Sequence, residues 1–274
     1  MLPAARVQPP SATSASPLPI VCFATGELYG MAEVYVARLL GMLRRHCPQP
    51  FTLHCYTDRP RRLPTEVVQH DCSGWYELLR PGMRPTTRKL GMFNPSYVPF
   101  EQFLFLDVTL IVRSDMGELL AYAFSRPEDL VIVPHWKRDG YNSCLMRIRP
   151  ARLRRVYDAF VDAERYPQYV AGDQEFIHGV LQRHGLADRV ALFPAHQVVS
   201  FRLTARLGRR QPAIARQLVR DATIVKFNGE PKMHEAFGPK FRLQLRLKEL
   251  VHGNLRPVMP MRDLRREWIG ATPD

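Results

Sequence analysis

The chain has 274 residues, of which 46% are hydrophobic, and a formal charge of +13 with a sequence pI near 9.9. That length suits one large α/β domain better than two small ones, and the apolar fraction is enough for a sizeable core. No apolar run reaches the roughly 20 residues of a membrane-spanning helix. The five cysteines are odd in number and lack C-x-x-C spacing, which argues against a disulfide framework or a zinc ribbon and for a reducing cytoplasm. The cationic excess draws polyanions such as nucleic acid, anionic lipid headgroups or phosphorylated substrates, without choosing among them.

Residues 1–18, rich in Pro, Ala and Ser with one Arg, read as a disordered leader rather than a secretory signal, with a transit peptide as the alternative. A globular domain is expected over 19–236 and a basic extension over 237–274. The run Pro19-Ile-Val-Cys-Phe-Ala-Thr25 is a buried first strand ending at Gly26. Helical spacing follows over Met31–His46, stopped by Pro48 and Pro50. Phe51–Thr57 is a second strand, closed by the turn residues Asp58-Arg-Pro60, and Val67-Val68 a weaker third. This β-α-β opening favours a parallel sheet with helices on its faces. Trp75–Pro99 is loop-rich, with a short helical candidate over Arg88–Phe93.

Phe103–Val112 is the most apolar stretch and reads as one central strand buried on both faces. Strands are expected at Leu130–Pro134 and Cys144–Ile148, and helices over Arg152–Tyr166 and Glu175–His184. Val198–Phe201 and Thr223–Phe227 are expected to close the sheet. Phe241–Lys248 fits either an alternating strand or a helix between Pro239 and Gly253, with helix preferred.

Asp107 is the anomaly in the apolar run. A buried ionised carboxylate is costly unless something pairs with it. At the carboxyl edge of a parallel sheet, where ligands bind, a carboxylate commonly holds a metal or a sugar hydroxyl, and the alternative is a turn-capping residue. No G-x-G-x-x-G follows the first strand, and no P-loop, H-x-x-x-H or G-x-S-x-G occurs.

Several motifs then occur in order. Ile20–Gly30 carries Tyr29, and Trp75 is followed by Lys89-Leu-Gly-Met-Phe93. Asp107-Val-Thr109 leads into Glu118-Leu119, and Asn142-Ser-Cys-Leu-Met146, Gly172-Asp-Gln174 and Phe227-Asn-Gly-Glu-Pro-Lys232 complete the series. Together, over roughly Pro19–Glu235, they resemble the GT-A, family-eight-like nucleotide-sugar glycosyltransferases. The resemblance implies a mixed, mostly parallel sheet flanked by helices. It implies transfer of a sugar, with retention, from a nucleoside diphosphate sugar, by default UDP-linked, to a hydroxyl of a carbohydrate, lipid-linked or other acceptor. It places Ala24, Thr25, Tyr29, Lys89, Asp107, Thr109, Gly229 and Lys232 at the nucleotide and diphosphate. Asp173, Gln174 and Asn142 fall at the reacting sugar.

The resemblance also implies Mn²⁺ or Mg²⁺ bridging the diphosphate, on ligands that fall at Asp107, Thr109 and Asn228. Where the family has two Asp and a His, only Asp107 is retained. An alternative register puts Phe105 in the first Asp place, but the Glu118-Leu119 spacing then fails. Thr and Asn offer neutral oxygens, which lowers the charge available to a hard cation. Lys232, Lys89 and Arg88 are candidate cations to stand in for metal. Gly172-Asp173 equally suits a helix N-cap, and His234 lies near Lys232. An inactive nucleotide- or partner-binding domain is the first alternative, and a nucleic-acid-binding protein, suggested by charge alone, the second. Lys240–Arg266 is a candidate contact with anionic membrane on the cytoplasmic face or with a phosphorylated acceptor, or a solvated surface.

Overall fold

The computed structural model describes residues 16–166, 172–208, 210–238 and 261–270. Its centre is a seven-stranded sheet made from β1 (Leu18–Ala24), β2 (Phe51–Thr57), β3 (Val67–Asp71), β4 (Phe103–Leu106), β6 (Leu130–Pro134), β7 (Tyr141–Ile148) and β8 (Val190–Leu192). The order is β3-β2-β1-β4-β7-β6-β8. Only β7 runs against its neighbours, so the sheet is mixed and mostly parallel. The helix expected after the first strand forms as α1 (Ala32–His46) and crosses over to β2. Arg88–Phe93 lies in a longer 3-10 helix, Pro85–Phe93.

Each central strand feeds two cores, because successive side chains leave opposite faces. Ile20, Cys22, Leu104 and Leu106 pack with α1 on one face. Val21, Phe23, Phe103 and Phe105 pack on the other with Trp75, Leu90 and Phe93. Phe103–Leu106 is fully buried, as expected for a strand covered on both sides.

The expectation of one strand over Phe103–Val112 is corrected. The run breaks at Asp107, and β5 (Leu110–Val112) enters a second, three-stranded sheet with β9 (Val198–Ser200) and β10 (Ile224–Lys226), in the order β5-β10-β9. Asp107 itself makes the break. Its Oδ1 accepts the Thr109 backbone N–H at 3.1 Å and the Thr109 hydroxyl at 2.9 Å, an Asx-type turn that redirects the chain. The segments expected to close the main sheet therefore build the smaller one, and Phe201 opens α5 (Phe201–Leu207) instead of ending a strand.

The helix expected over Arg152–Tyr166 is also shorter. α3 covers Arg155–Val161, and the chain turns at Ala163, whose φ of 59° no right-handed helix tolerates. The following stretch brings the Tyr166 ring against Gly179 of α4 (Asp173–Arg183), where a Cβ would stand 2.7 Å from the ring. Three further helices are present: α2 (Gly117–Ser125), α6 (Pro212–Asp221) and α7 (Met233–Ala236). The last, α8 (Met261–Ile269), lies on α1 with Leu264 and Trp268 buried. Phe241–Lys248 falls outside the described residues. Among the described residues no helix is long and apolar enough to cross a membrane.

Candidate active site

The cleft opens where β4 ends and β7 begins, at the carboxyl edge of the parallel strands. The Asp107 backbone N–H donates to the Cys144 carbonyl at 2.9 Å, which fixes the carboxylate between the two strands. Lys89 reaches the same point from the 3-10 helix. That helix sits close because Gly91 faces Trp75: a Cβ there would lie 2.4 Å from a ring carbon, and the ring is itself stacked on Tyr97 at 4.4 Å. Lys226 arrives from β10, whose register pairs it with Leu110 beside Thr109.

These groups form one ionic cluster. Asp107 Oδ2 accepts from Lys89 Nζ at 2.9 Å and is ion-paired with Lys226 Nζ at 3.1 Å. Lys226 also donates to the Thr109 hydroxyl oxygen. The three side chains are between 8% and 19% exposed, so solvent screens them weakly. Burial pushes the Asp107 carboxyl up, but the two ammonium groups and the Thr109 N–H outweigh it and hold it well below the usual carboxylate range. Burial likewise pushes Lys89 down, and the charges of Asp107 and Asp173 more than reverse that.

The three positions that the resemblance assigns to metal do not fit one. Both Asp107 oxygens and the Thr109 hydroxyl are engaged as described, and Asn228 Oδ1 accepts the Ser200 hydroxyl at 2.6 Å. Two unit positive charges stand within bonding distance of the one carboxylate. A unit like-charge pair at about 4 Å costs about 4 kcal/mol at an effective dielectric of about 20, and a dication doubles it. Among the described residues no group of three or more His, Cys, Asp or Glu is placed to hold a metal ion.

Asp173 opens α4 and is 6% exposed. It does not cap the helix: Gly172 stands at the N-cap, with no side-chain cap bond. Instead Asp173 Oδ2 accepts the Ser143 hydroxyl at 2.6 Å. Asn142 bridges strand and helix, donating to Gln174 Oε1 at 3.3 Å and accepting the Cys144 N–H at 3.2 Å. Lys232 Nζ lies 5.0 Å from the Tyr29 ring centroid and 3.4 Å from Glu230 Oε1. Burial lowers the Lys232 pKa, but Tyr29 and Glu230 raise it further. Tyr29 has φ 60°, a left-handed conformation that costs an aromatic residue of order 1–3 kcal/mol and is typical of binding loops.

Tyr29, Lys89, Asp107, Thr109, Asn142, Asp173, Gln174, Asn228, Gly229 and Lys232 line one cleft of about 480 Å³, although they come from opposite ends of the sequence. Ala24 and Thr25 do not line it, and Ala24 is fully buried at the end of β1. Arg88 turns to Asp58 at 3.5 Å, and Asp58 accepts the Gly26 N–H at 2.8 Å, so this arginine braces the loop after β1. His234 lies 2.9 Å from the Tyr35 hydroxyl, behind Tyr29. Sequence reasoning missed Lys226, Arg84, Thr86, Trp136 and Lys137, all of which line the cleft. The signal for Lys226 was present: a lysine inside the apolar run Thr223-Ile-Val-Lys-Phe227 needs an anion, as Asp107 needs a cation. Among the described residues Thr86 Oγ1 is buried without a hydrogen-bond partner.

This architecture, a mixed sheet joined at an Asp-initiated turn to a small second sheet with the cleft between them, is the GT-A glycosyltransferase fold. The chain is similar to the glycosyltransferase GlyE of Streptococcus pneumoniae TIGR4, with TM-score 0.55 and 14% identity over 93% of this chain and 64% of that one. It is similar to the galactosyltransferase LgtC solved with donor and acceptor sugar analogues, with TM-score 0.58 and 12% identity over 94% of this chain and 97% of that one. It is also similar to the bifunctional glycosyltransferase WbbM, with TM-score 0.56 and 12% identity over 83% of this chain and 48% of that one. The chain thus spans 64% of the GlyE chain it matches. No protein-family model matches it, and no curated protein is similar to it in sequence.

Proposed function

We propose that the cleft transfers a sugar from a nucleoside diphosphate sugar, by resemblance UDP-linked, to a hydroxyl acceptor, with little or no need of a divalent metal. The observation that carries this is convergence. Residues from Tyr29 to Lys232, in the order of the motifs, meet at one edge of a GT-A sheet, with a buried carboxylate and several ammonium groups among them.

In this reading the acceptor oxygen bonds to the anomeric carbon and the bond from that carbon to the diphosphate breaks. The electron pair leaves on the diphosphate oxygen, where Lys232 and its neighbours stabilise the developing charge. The acceptor proton passes to the Asp173 carboxylate, which Ser143 orients. Asn142 and Gln174, locked to each other, hold sugar hydroxyls. Arg84 and Lys137 at the cleft favour an acceptor that carries negative charge, and we assign the protein to the cytoplasm, where nucleotide sugars are at hand.

The engaged Asp107 also favours a second reading, a domain that binds the nucleotide without turnover. Calorimetry with UDP and GDP, followed by a donor-turnover assay with the matching nucleotide sugars, separates the two. Nucleotide binding with release of diphosphate nucleotide from the sugar donor is the expected result. Binding without turnover supports the second reading, and no binding of either nucleotide overturns both.

A further inference from the structure

The residues at the metal positions disagree with a metal, and the group that fills the place is identifiable. We infer that the Lys226 ammonium, seated between Asp107 and Thr109, is a built-in substitute for the divalent cation and meets the diphosphate of a nucleoside diphosphate alongside Lys232. The inference rests on the reading of the cleft as a nucleotide-sugar site and names the residue that makes that site work.

Three observations carry it. First, position: Lys226 Nζ touches two of the three groups that the resemblance assigns to metal, Asp107 at 3.1 Å and the Thr109 hydroxyl. Second, valence: an ammonium has three donors, and among the described residues Asp107 and Thr109 are the hydrogen-bonding and ion-pair partners of Lys226. At least one N–H therefore remains for a phosphate oxygen in the cleft that Lys226 lines. Third, support: Lys226 is on a strand paired on both sides, with β5 and with β9, and its side chain is 8% exposed. It is placed by backbone hydrogen bonds, as a resident ion would be placed by its ligands.

Lys89 completes the charge arrangement. Asp173 acts on Lys89 through space, but among the described residues it is ion-paired to neither lysine, so the trio of Asp107, Lys89 and Lys226 carries a local charge of +1 at the cleft. An anionic diphosphate is attracted to this cluster and a free dication is repelled by it. Asp107 thus changes role: it anchors a cationic side chain and does not itself coordinate a metal.

The test uses the full chain stripped of metal with chelator. UDP, GDP and the nucleosides uridine and guanosine are titrated with and without Mn²⁺, on wild type, Lys226→Gln and Lys226→Arg. Wild type is expected to bind the preferred diphosphate equally well, within 2-fold, in chelator and in Mn²⁺. Lys226→Gln is expected to lose at least 10-fold for the diphosphate but under 2-fold for the nucleoside, with Lys226→Arg recovering most of the loss. Tightening of wild-type binding by 10-fold or more in Mn²⁺ overturns the inference, and because this arm needs no variant it holds even if Lys226→Gln fails to fold. Unchanged diphosphate affinity in a folded Lys226→Gln also overturns it while leaving the glycosyltransferase reading intact. If wild type binds neither nucleotide, the reading of the cleft fails first, and this inference with it.

Discussion

Asp173 is buried, and its hydrogen-bond partner among the described residues is Ser143, a neutral donor to Oδ2, which fixes its orientation. That is the arrangement expected of a proton acceptor and differs from that of Asp107, which two ammonium groups saturate. In the proposed mechanism the two carboxylates divide the work: Asp107 organises charge and Asp173 takes the proton. Replacing Asp173 with Asn keeps size and a hydrogen bond to Ser143 but removes the base. We expect Asp173→Asn to lower the turnover rate roughly 100-fold or more, the usual worth of a general base, with nucleotide affinity changed by under about 3-fold. Single-turnover rates and calorimetry on the same preparation check it, and turnover within a few-fold of wild type removes Asp173 from the chemistry.

At the scale of elements, β2 and β3 carry a pair of histidines outside the cleft. His54 Nδ1 and His70 Nε2 lie 2.9 Å apart, and Phe100 covers the His54 ring at 4.6 Å. Burial, then the neighbouring His70, push His54 down from 6.5 to about 4, and burial lowers His70 as well. Protonation of both rings is thus disfavoured in the folded chain, and His54 stays neutral down to about pH 4. The unfolded chain takes up protons near 6.5, so it binds more protons than the folded one between about pH 6.5 and 4. Stability contributed by His54 is therefore complete above that window and falls as pH drops through it, by about 1–2 kcal/mol at pH 5. Urea unfolding at pH 7.5 and 5 is expected to show this loss in wild type and a smaller one in His54→Gln. Equal losses in both would assign the pH dependence to other groups. The same scale shows what the sequence made visible. Runs such as Phe51–Thr57 and Leu130–Pro134 are bounded by turn residues and form strands at those limits. The run Phe103–Val112 hid a change of sheet, because periodicity reports burial and not which sheet buries a residue. Only Asp107 marked the break, through a side-chain bond to Thr109 that a hydropathy pattern does not register.

For the whole molecule, the cleft was legible where residues lie near one another in sequence motifs and illegible where distant elements supply them. Asp107 and Lys226 are anomalies of opposite sign in two apolar runs of sequence, and the pairing of β5 with β10 brings them together. The final helix is a second long-range contributor. Trp268 of α8 is 5% exposed, and its ring lies 5.8 Å from Tyr35 and 5.4 Å from Phe237, under the guanidinium of Arg38. Arg38 also donates to the carbonyls of Trp268 and Ile269, the last turn of that helix, where a cation suits the exposed acceptors. From Tyr35 contacts continue to His234, to Tyr29 and to Lys232 at the cleft. Trp268→Ala deletes a large buried ring and is expected to cost about 3 kcal/mol, lowering the melting temperature by several degrees. If the contacts through Tyr35 and His234 hold Tyr29 in its left-handed conformation, nucleotide affinity should also fall, by ~2–10-fold, at a temperature where the variant is fully folded. Trp268→Phe, which keeps a ring against Tyr35, should recover most of both effects. A folded Trp268→Ala with wild-type affinity would confine α8 to stability, because the contacts from Trp268 to Tyr29 would then carry packing energy without biasing the loop proposed to meet the nucleotide.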